Sequence, residues 1–342
     1  MSQSRRGGIP ARFLFPFIGV IVLVIAYTAY WLYAQGQIRQ SVTAWIELQR
    51  QSGYEIDHAP VRVGGYPFRF EVRIAEATVS TPEAVEGWTL EGGRTVAVAM
   101  PYDFNHWIVE IHDPMTVSFD NGGAYRLASE ATRFSIRSGQ GGTQRLAVEI
   151  DELGIETLSG PQAAIERIGH LRLISELTGE DTLDTQLAAG GITIGDVALD
   201  DALLDELGTE IALARLELSV THWSDLAREA RTDMWREAEG RVEISESGID
   251  WGSIAFQAEG SLTVDAAGYP DGRVSLFVLD PEALADVLVA SGTVRGENEN
   301  ALRLLAQSAP RGERGTAVPL TLRRGGVFLG PVRIAEVERV GG

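Results

Sequence analysis

Residues 13 to 33 read FLFPFIGVIVLVIAYTAYWLY, 21 residues without a charge. As a helix rising about 1.5 Å per residue, the run spans roughly 30 Å, the thickness of a bilayer hydrocarbon core. A backbone that crosses lipid must satisfy its own hydrogen bonds, so this run fixes both a conformation and a setting. Tyr27, Tyr30, Trp31 and Tyr33 gather at its C-terminal end, as an interfacial aromatic belt does. Arg5, Arg6 and Arg12 precede it, with no acid among residues 1 to 36. The positive-inside rule then places residues 1–12 in the cytoplasm and the rest of the chain outside, in the periplasm of a Gram-negative cell. The expectation is a single-pass protein of the bacterial inner membrane, with residues 13–33 as transmembrane helix and 37–342 as the exported domain. Ala34-Gln35-Gly36 would serve as a small-x-small cleavage site. The apolar run exceeds the roughly 7–15 residues of a signal core, however, which favours a retained anchor.

After the anchor the period changes. Residues 37 to 52 read as a helix leaving the membrane, with Val42, Trp45, Ile46 and Leu48 on its apolar side and Gly53 as its stop. In YPFRFEVRI, Tyr66, Phe68, Phe70, Val72 and Ile74 share one parity, and Pro67, Arg69, Glu71 and Arg73 the other. This is the pattern of a half-buried strand, started by Gly64-Gly65, with Pro67 confined to its first residues. The alternation recurs at Trp107, Val109 and Ile111, continuing through Met115, Val117 and Phe119, and again at Leu146, Val148 and Ile150. It returns at Leu216, Leu218 and Val220, at Val242 and Ile244, at Val274, Leu276 and Val278, and at Val318, Leu320 and Leu322. Turn-forming DNGG, SGQGG, AAGYPDG and RRGG separate these runs. One apolar parity per strand predicts an antiparallel sheet covered on one side.

Three helical patterns interrupt the strands. Over 224–238, Trp223, Leu226, Ala227, Ala230 and Met234 follow helical spacing. A second helix starts at Asp280-Pro281, a cap and first-turn pair, with Leu284, Val287 and Leu288 inward. A third covers about 299–308 and ends before Pro310. The fold class is therefore β-rich α+β: an N-terminal transmembrane helix followed by an antiparallel, curved β-sheet domain with a few covering helices. A soft subdivision falls near 200–210, where the acidic DDALLDELGTE lies.

Composition narrows the chemistry. The chain has no cysteine, and all 29 basic residues are arginine. Disulfides, thiolate nucleophiles, cysteine-held metals, Schiff-base lysines and the P-loop lysine are excluded together. Removing the three N-terminal arginines leaves 26 against 48 acids, a balance of −22 for the remainder. Such a surface repels phosphate backbones, which argues against a nucleic-acid partner. Of the five histidines, His106 and His112 share strand parity, but six residues at about 3.3 Å each hold them roughly 20 Å apart. They read as polar strand positions. The clusters Glu180, Asp181, Asp184 and Asp200, Asp201, Asp205, Glu206 lack calcium-loop spacing and read as solvated turns and helix starts. No nucleophile elbow or dinucleotide fingerprint occurs. No catalytic residue, metal site or cofactor is assigned, and the chain is not read as an enzyme.

The aromatics Tyr66, Phe68 and Phe70 admit two uses. They pack a sheet core, or they face an apolar ligand beside the membrane. Both uses need the same residue types.

GGYPFRFEV behind an N-terminal anchor resembles an uncharacterised proteobacterial family, domain of unknown function 2125. GIDWGSIAFQAEGSLTVDAAGYPDGRVSLFV (248–278) and VPLTLRRGGVFLGPVRIAEV (318–337) resemble its C-terminal blocks. The resemblance spans most of residues 30–337 and implies an envelope protein, with no activity or catalytic residues to carry over. A looser architectural similarity is to the AsmA-like envelope proteins, which pair an anchor with long β-sheet grooves and are linked to lipid transport. Three readings follow. The first is a membrane-anchored envelope protein binding or shielding lipid acyl chains. The second is a scaffold with a filled core that contacts other envelope proteins. The third is an envelope hydrolase.

Overall fold

The computed structural model describes residues 11–82, 87–195, 201–227, 232–292, 294, 297–308, 310–330 and 332–340. It opens on one continuous helix, α1 (Ala11–Gln51). The apolar run and the segment 37–52, expected as two helices, are therefore one. No proline lies between Pro16 and Gln51, and Gly36, at the expected junction, weakens a helix by only about 1 kcal/mol. The helix stops as expected at Gly53, which turns at φ +94° and donates its N–H to the Arg50 carbonyl at 2.9 Å.

The strands are β1 (Glu55–Asp57), β2 (Arg62–Gly64), β3 (Phe70–Ile74), β4 (Thr78–Ser80), β5 (Trp88–Met100), β6 (Asp103–Phe119), β7 (Ala124–Ala128), β8 (Ala131–Ser138), β9 (Gln144–Ser159) and β10 (Ile165–Leu177). There follow β11 (Leu183–Ile194), α2 (Asp201–Leu207), β12 (Glu210–Val220), α3 (Trp223–Ala227), α4 (Thr232–Glu237), β13 (Val242–Trp251), β14 (Ile254–Val264) and β15 (Pro270–Val278). The chain closes with α5 (Pro281–Ala290), α6 (Glu297–Ser308), β16 (Arg311–Gly312), β17 (Gly315–Arg323), β18 (Gly326–Leu329) and β19 (Val332–Glu336). Each of the four turn motifs separates two strands, as its Gly and Asn content predicts.

Among the described residues, the nineteen strands form one sheet, and every pairing is antiparallel. From β8 to β15 each strand pairs with the next in sequence, a meander of hairpins. Short strands share positions: β3 and β4 both pair with β5, while β7 and β8 both lie between β6 and β9. β11 pairs with β12 across residues 195–209, so the hydrogen-bonded sheet continues past the acidic segment.

Regular pairing lapses along one transverse row of this sheet. β3 and β4 are separated by Ala75–Ala77 with Glu76 at φ +52°, opposite a register shift between Gly92 and Arg94. The same row passes Ser129-Glu130 between β7 and β8 and reaches Glu152, at φ +52°. It then crosses the unpaired Gly169, Gly191 at φ +60° and Ala212. Bulges and left-handed residues bend strands and increase twist, and their alignment in a row creases the sheet as a whole.

Four apolar clusters pack helices on the sheet. Helix α1 places Trp31 and Ala34 against Val63, Phe70 and Val72 at the first edge. At the far end α5 and α6 cover Val278, Val318, Leu329 and Val332. The α2 residue Leu207 joins Ile254 and Val287, while Trp235 of α4 joins Val220 and Val264. Asp280 caps α5 as predicted, its carboxylate accepting from the Glu282 and Ala283 N–H groups at 3.1 and 3.0 Å. The pattern over 224–238 is corrected. Its described residues are helical at Trp223–Ala227 and Thr232–Glu237, Ala230 lies outside them, and the buried side chain is Trp235 while its neighbour Met234, expected inward, is exposed. The Trp235 indole N–H reaches the Thr221 carbonyl at 2.6 Å, a partner that helical spacing does not reveal.

Candidate functional site: an uncovered apolar sheet face

The GYPFRF block does not form one strand. Gly65 sits at φ +97°, and the Arg69 N–H closes a turn onto its carbonyl at 3.1 Å. A Cβ on Gly65 would lie 2.6 Å from the Arg69 carbonyl oxygen, so glycine is required there. The Tyr66–Pro67 peptide within this turn is cis, and the strand begins only at Phe70. The expected shared parity of the three aromatics is thereby broken. Phe70 is 0% exposed, stacked on Trp31 at 5.1 Å and tilted against Phe104 at 5.2 Å. Phe68 is 81% exposed and Tyr66 48%. On the other parity, the buried Glu71 lies between the guanidinium groups of Arg69 and Arg73.

Strand register gathers the remaining apolar residues. Opposed residues in an antiparallel pair share a face, so pairings can be followed across the sheet. Starting under α1, Val63 opposes Val72, Val72 opposes Ala97, and Ala97 opposes Val109. The row continues through Phe134, Val148, Leu173, Leu187 and Leu216. A parallel row runs from Ile111 through Thr132, Ile150, Leu171, Ala189, Ala214 and Ile249 to Phe256 and Val278, in the cluster under α5 and α6. Eight inter-strand steps at about 4.8 Å make the first row about 38 Å long. None of the four helix-packed clusters contains Phe134, Val148, Leu173, Leu187 or Leu216. Ile136, Leu146 and Leu216 of this middle section are exposed.

The opposite face of the same strands is charged. Glu110, Arg133, Glu149 and Arg172 follow one another across β6, β8, β9 and β10, with Arg133 to Glu110 at 3.4 Å and Arg172 to Glu149 at 3.0 Å. A recess of about 540 Å³ lies on this side between β12 and β15, walled by Arg215, Glu246, Asp250, Glu259, Phe277 and Arg314. Arg314 lies 3.8 Å over the Phe277 ring and grips Glu259 through two hydrogen bonds of 2.8 and 3.1 Å. Those bonds hold the Glu259 carboxyl below its usual range and raise Arg314 above its own. Because Glu259 and Arg314 already satisfy each other, the apolar face is the better candidate site although the recess is the more enclosed.

The histidines and acids fall where polar strand and turn positions belong. His106 shares a hydrogen bond with Ser135 at 2.9 Å, and His112 lies 3.5 Å from Glu110. Asp181 accepts from Ser224, which ties the start of α3 to the β10–β11 turn. Among the described residues no three His, Asp or Glu side chains are placed to hold a metal ion. Asp200 lies outside the described residues. Sequence reasoning did not single out β10 and β11, whose Leu171, Leu173 and Leu187 carry the middle of the apolar rows. The alternation in LRLISEL was present, but Ser175, Thr185 and the Ala-Ala-Gly-Gly stretch diluted it.

No curated protein and no solved structure matches the chain. The sequence profile of an uncharacterised protein family conserved in bacteria, DUF2125, matches residues 31–338, so the chain belongs to that family.

Proposed function

We propose that this is a membrane-anchored envelope protein whose apolar sheet face binds acyl chains and shields them from water. One observation carries the reading: an apolar row about 38 Å long that begins beneath α1 and passes through side chains no helix cluster covers. Its length is more than twice the roughly 15 Å of one leaflet's hydrocarbon layer. Past α1 the row is half-buried at Phe134, Leu173 and Leu187 and exposed at Leu216, with the exposed Ile136 and Leu146 beside it, and apolar surface left in contact with water is costly unless it meets another apolar body. The anchor supports the same reading. Phe17–Gln51 is long and apolar enough to cross a membrane. Cleavage at Ala34-Gln35-Gly36 would strip Trp31, at 4% exposure, from the first core cluster, and Ala34 with it. This packing supports retention of the helix, and the arginine asymmetry supports a periplasmic side for residues 37–342.

The test is photocrosslinking of the full chain in its membrane. A photoreactive phenylalanine at Leu187 or Leu216 is expected to yield phospholipid adducts, detected by mass spectrometry. The same group at Arg172, on the charged face, is expected to yield none. Folded, membrane-bound protein without lipid adducts at Leu187 and Leu216 would refute acyl-chain binding and leave the charged face, as a scaffold surface, to explain the protein.

A further inference from the structure

The domain grips α1 inside its uncharged run as well as after it, where Gln35 donates to the Val63 carbonyl at 2.6 Å. The Tyr27 hydroxyl donates to the Pro67 carbonyl, Thr28 and Tyr66 share a hydrogen bond of 2.8 Å, and the Tyr30 hydroxyl donates to the Pro101 carbonyl at 3.3 Å. Trp31 stacks on Phe70 one turn further on. Two sheet turns, Gly65–Arg69 and Met100–Phe104, therefore flank the helix at the level of residues 27–31. Apart from Arg69, their exposed side chains are apolar or aromatic: Phe68 at 81% exposure, Tyr102 at 86%, and the exposed Tyr66, Met100 and Phe104.

Helix geometry turns these contacts into a depth. With Phe13 at one boundary of a hydrocarbon core about 30 Å thick, the other boundary falls near Tyr33, 20 steps of about 1.5 Å later. Tyr27 lies six steps short of Tyr33, about 9 Å inside that boundary, and Trp31 about 3 Å inside it. If the two turns stood in water, only residues 13 to 26 would remain for the membrane, a span of about 20 Å and too short for the core. The geometry points to a membrane-dipping edge. We infer that the turns Gly65–Arg69 and Met100–Phe104 insert Phe68 and Tyr102 into the outer leaflet beside α1, where Tyr rings and apolar residues are favoured. The charged residues of the same turns are paired within the domain, Arg69 with Glu71 at 2.7 Å and Asp103 with Arg137 at 3.4 Å, so neither turn carries an unpaired charge to the membrane. The inference rests on the anchored reading of α1 and deepens it: the apolar row, which starts at Val63 and Val72 next to these turns, opens at the lipid surface.

The absence of cysteine makes the test direct. Single variants Phe68→Cys, Tyr102→Cys, Val22→Cys and Asp250→Cys of the full chain are labelled with an environment-sensitive fluorophore. Each is reconstituted in vesicles of phosphatidylethanolamine and phosphatidylglycerol. Quenching by lipid-borne nitroxide is then compared with quenching by aqueous iodide. The inference expects several-fold stronger nitroxide quenching at positions 68 and 102 than at 250, with a shallower nitroxide most effective, and deep-nitroxide quenching at 22. Deep quenching at 22 with iodide-accessible labels at 68 and 102, equal to that at 250, overturns the insertion and leaves the anchor standing. Iodide access at 22 overturns the anchor and the insertion together.

Discussion

Phe70 and Phe68 are two residues apart, and a regular strand would give them the same environment. Here they have opposite ones, so a paired truncation tests the turn that separates them. Phe70 is 0% exposed between Trp31 and Phe104, with ring centroids at 5.1 and 5.2 Å. Truncating a buried phenylalanine to alanine costs about 3–5 kcal/mol in lost transfer energy and cavity. Loss of the aromatic pairs adds to this, about 0.5–1.5 kcal/mol for each pair beyond area burial. Phe68→Ala removes no packing partner and is expected to stay within about 0.5 kcal/mol of the parent protein. Urea unfolding of the full chain in mild detergent, followed by sheet circular dichroism, measures both from midpoints at a common slope. A cycle with Trp31→Ala should return a coupling of about 0.5–1.5 kcal/mol with Phe70 and about zero with Phe68. Equal costs at 68 and 70, or a Phe70→Ala loss below about 1 kcal/mol, would refute both the split block and the docking of α1.

Asp280→Ala removes the acceptor for two N–H groups of α5 and should cost about 1 kcal/mol, seen as faster amide exchange in the first turn of α5. Gly65→Ala meets both φ +97° and a Cβ 2.6 Å from a carbonyl oxygen, so a loss of at least about 1–2 kcal/mol is expected in the same urea assay. Glu259 has its pKa lowered in the folded state by the Arg314 hydrogen bonds, so the stabilisation from this pair is present above the ordinary carboxylate range and fades as pH falls through the folded value. Arg314→Gln should therefore shift the Glu259 titration upward by carboxyl-carbon NMR, and its stability should converge with the parent's in acid. Leu187→Glu should leave the sheet folded by circular dichroism while abolishing lipid adducts from a photoreactive group at Leu173, the residue it opposes.

Local physics was written plainly in the chain. The uncharged run fixed a long helix because lipid and helix geometry leave few alternatives, and Asp280-Pro281 fixed the start of α5 because capping needs no distant partner. Alternation at residues such as Val109, Val148 and Leu216 fixed strands and their apolar parity, and the glycine-rich turns fixed where strands end. Each of these signals acts over a few residues. What tertiary structure decided acts over tens. The parity of Tyr66, Phe68 and Phe70 looked uniform, yet a turn closed by Gly65 placed one ring in the core and another outside. The burial of Trp235 rather than Met234 depended on Thr221 and on two strands of the sheet. The crease from Glu76 to Ala212 exists only because hairpin registers bring separate irregularities into one row. The candidate site has the same origin. Its leucines are individually ordinary, and only the register linking β2 to β12 makes them a continuous surface that starts at α1 and runs beyond the reach of the covering helices. Period and composition are properties of a segment, whereas register and coverage are properties of pairs of segments, and those pairs form only when the chain folds.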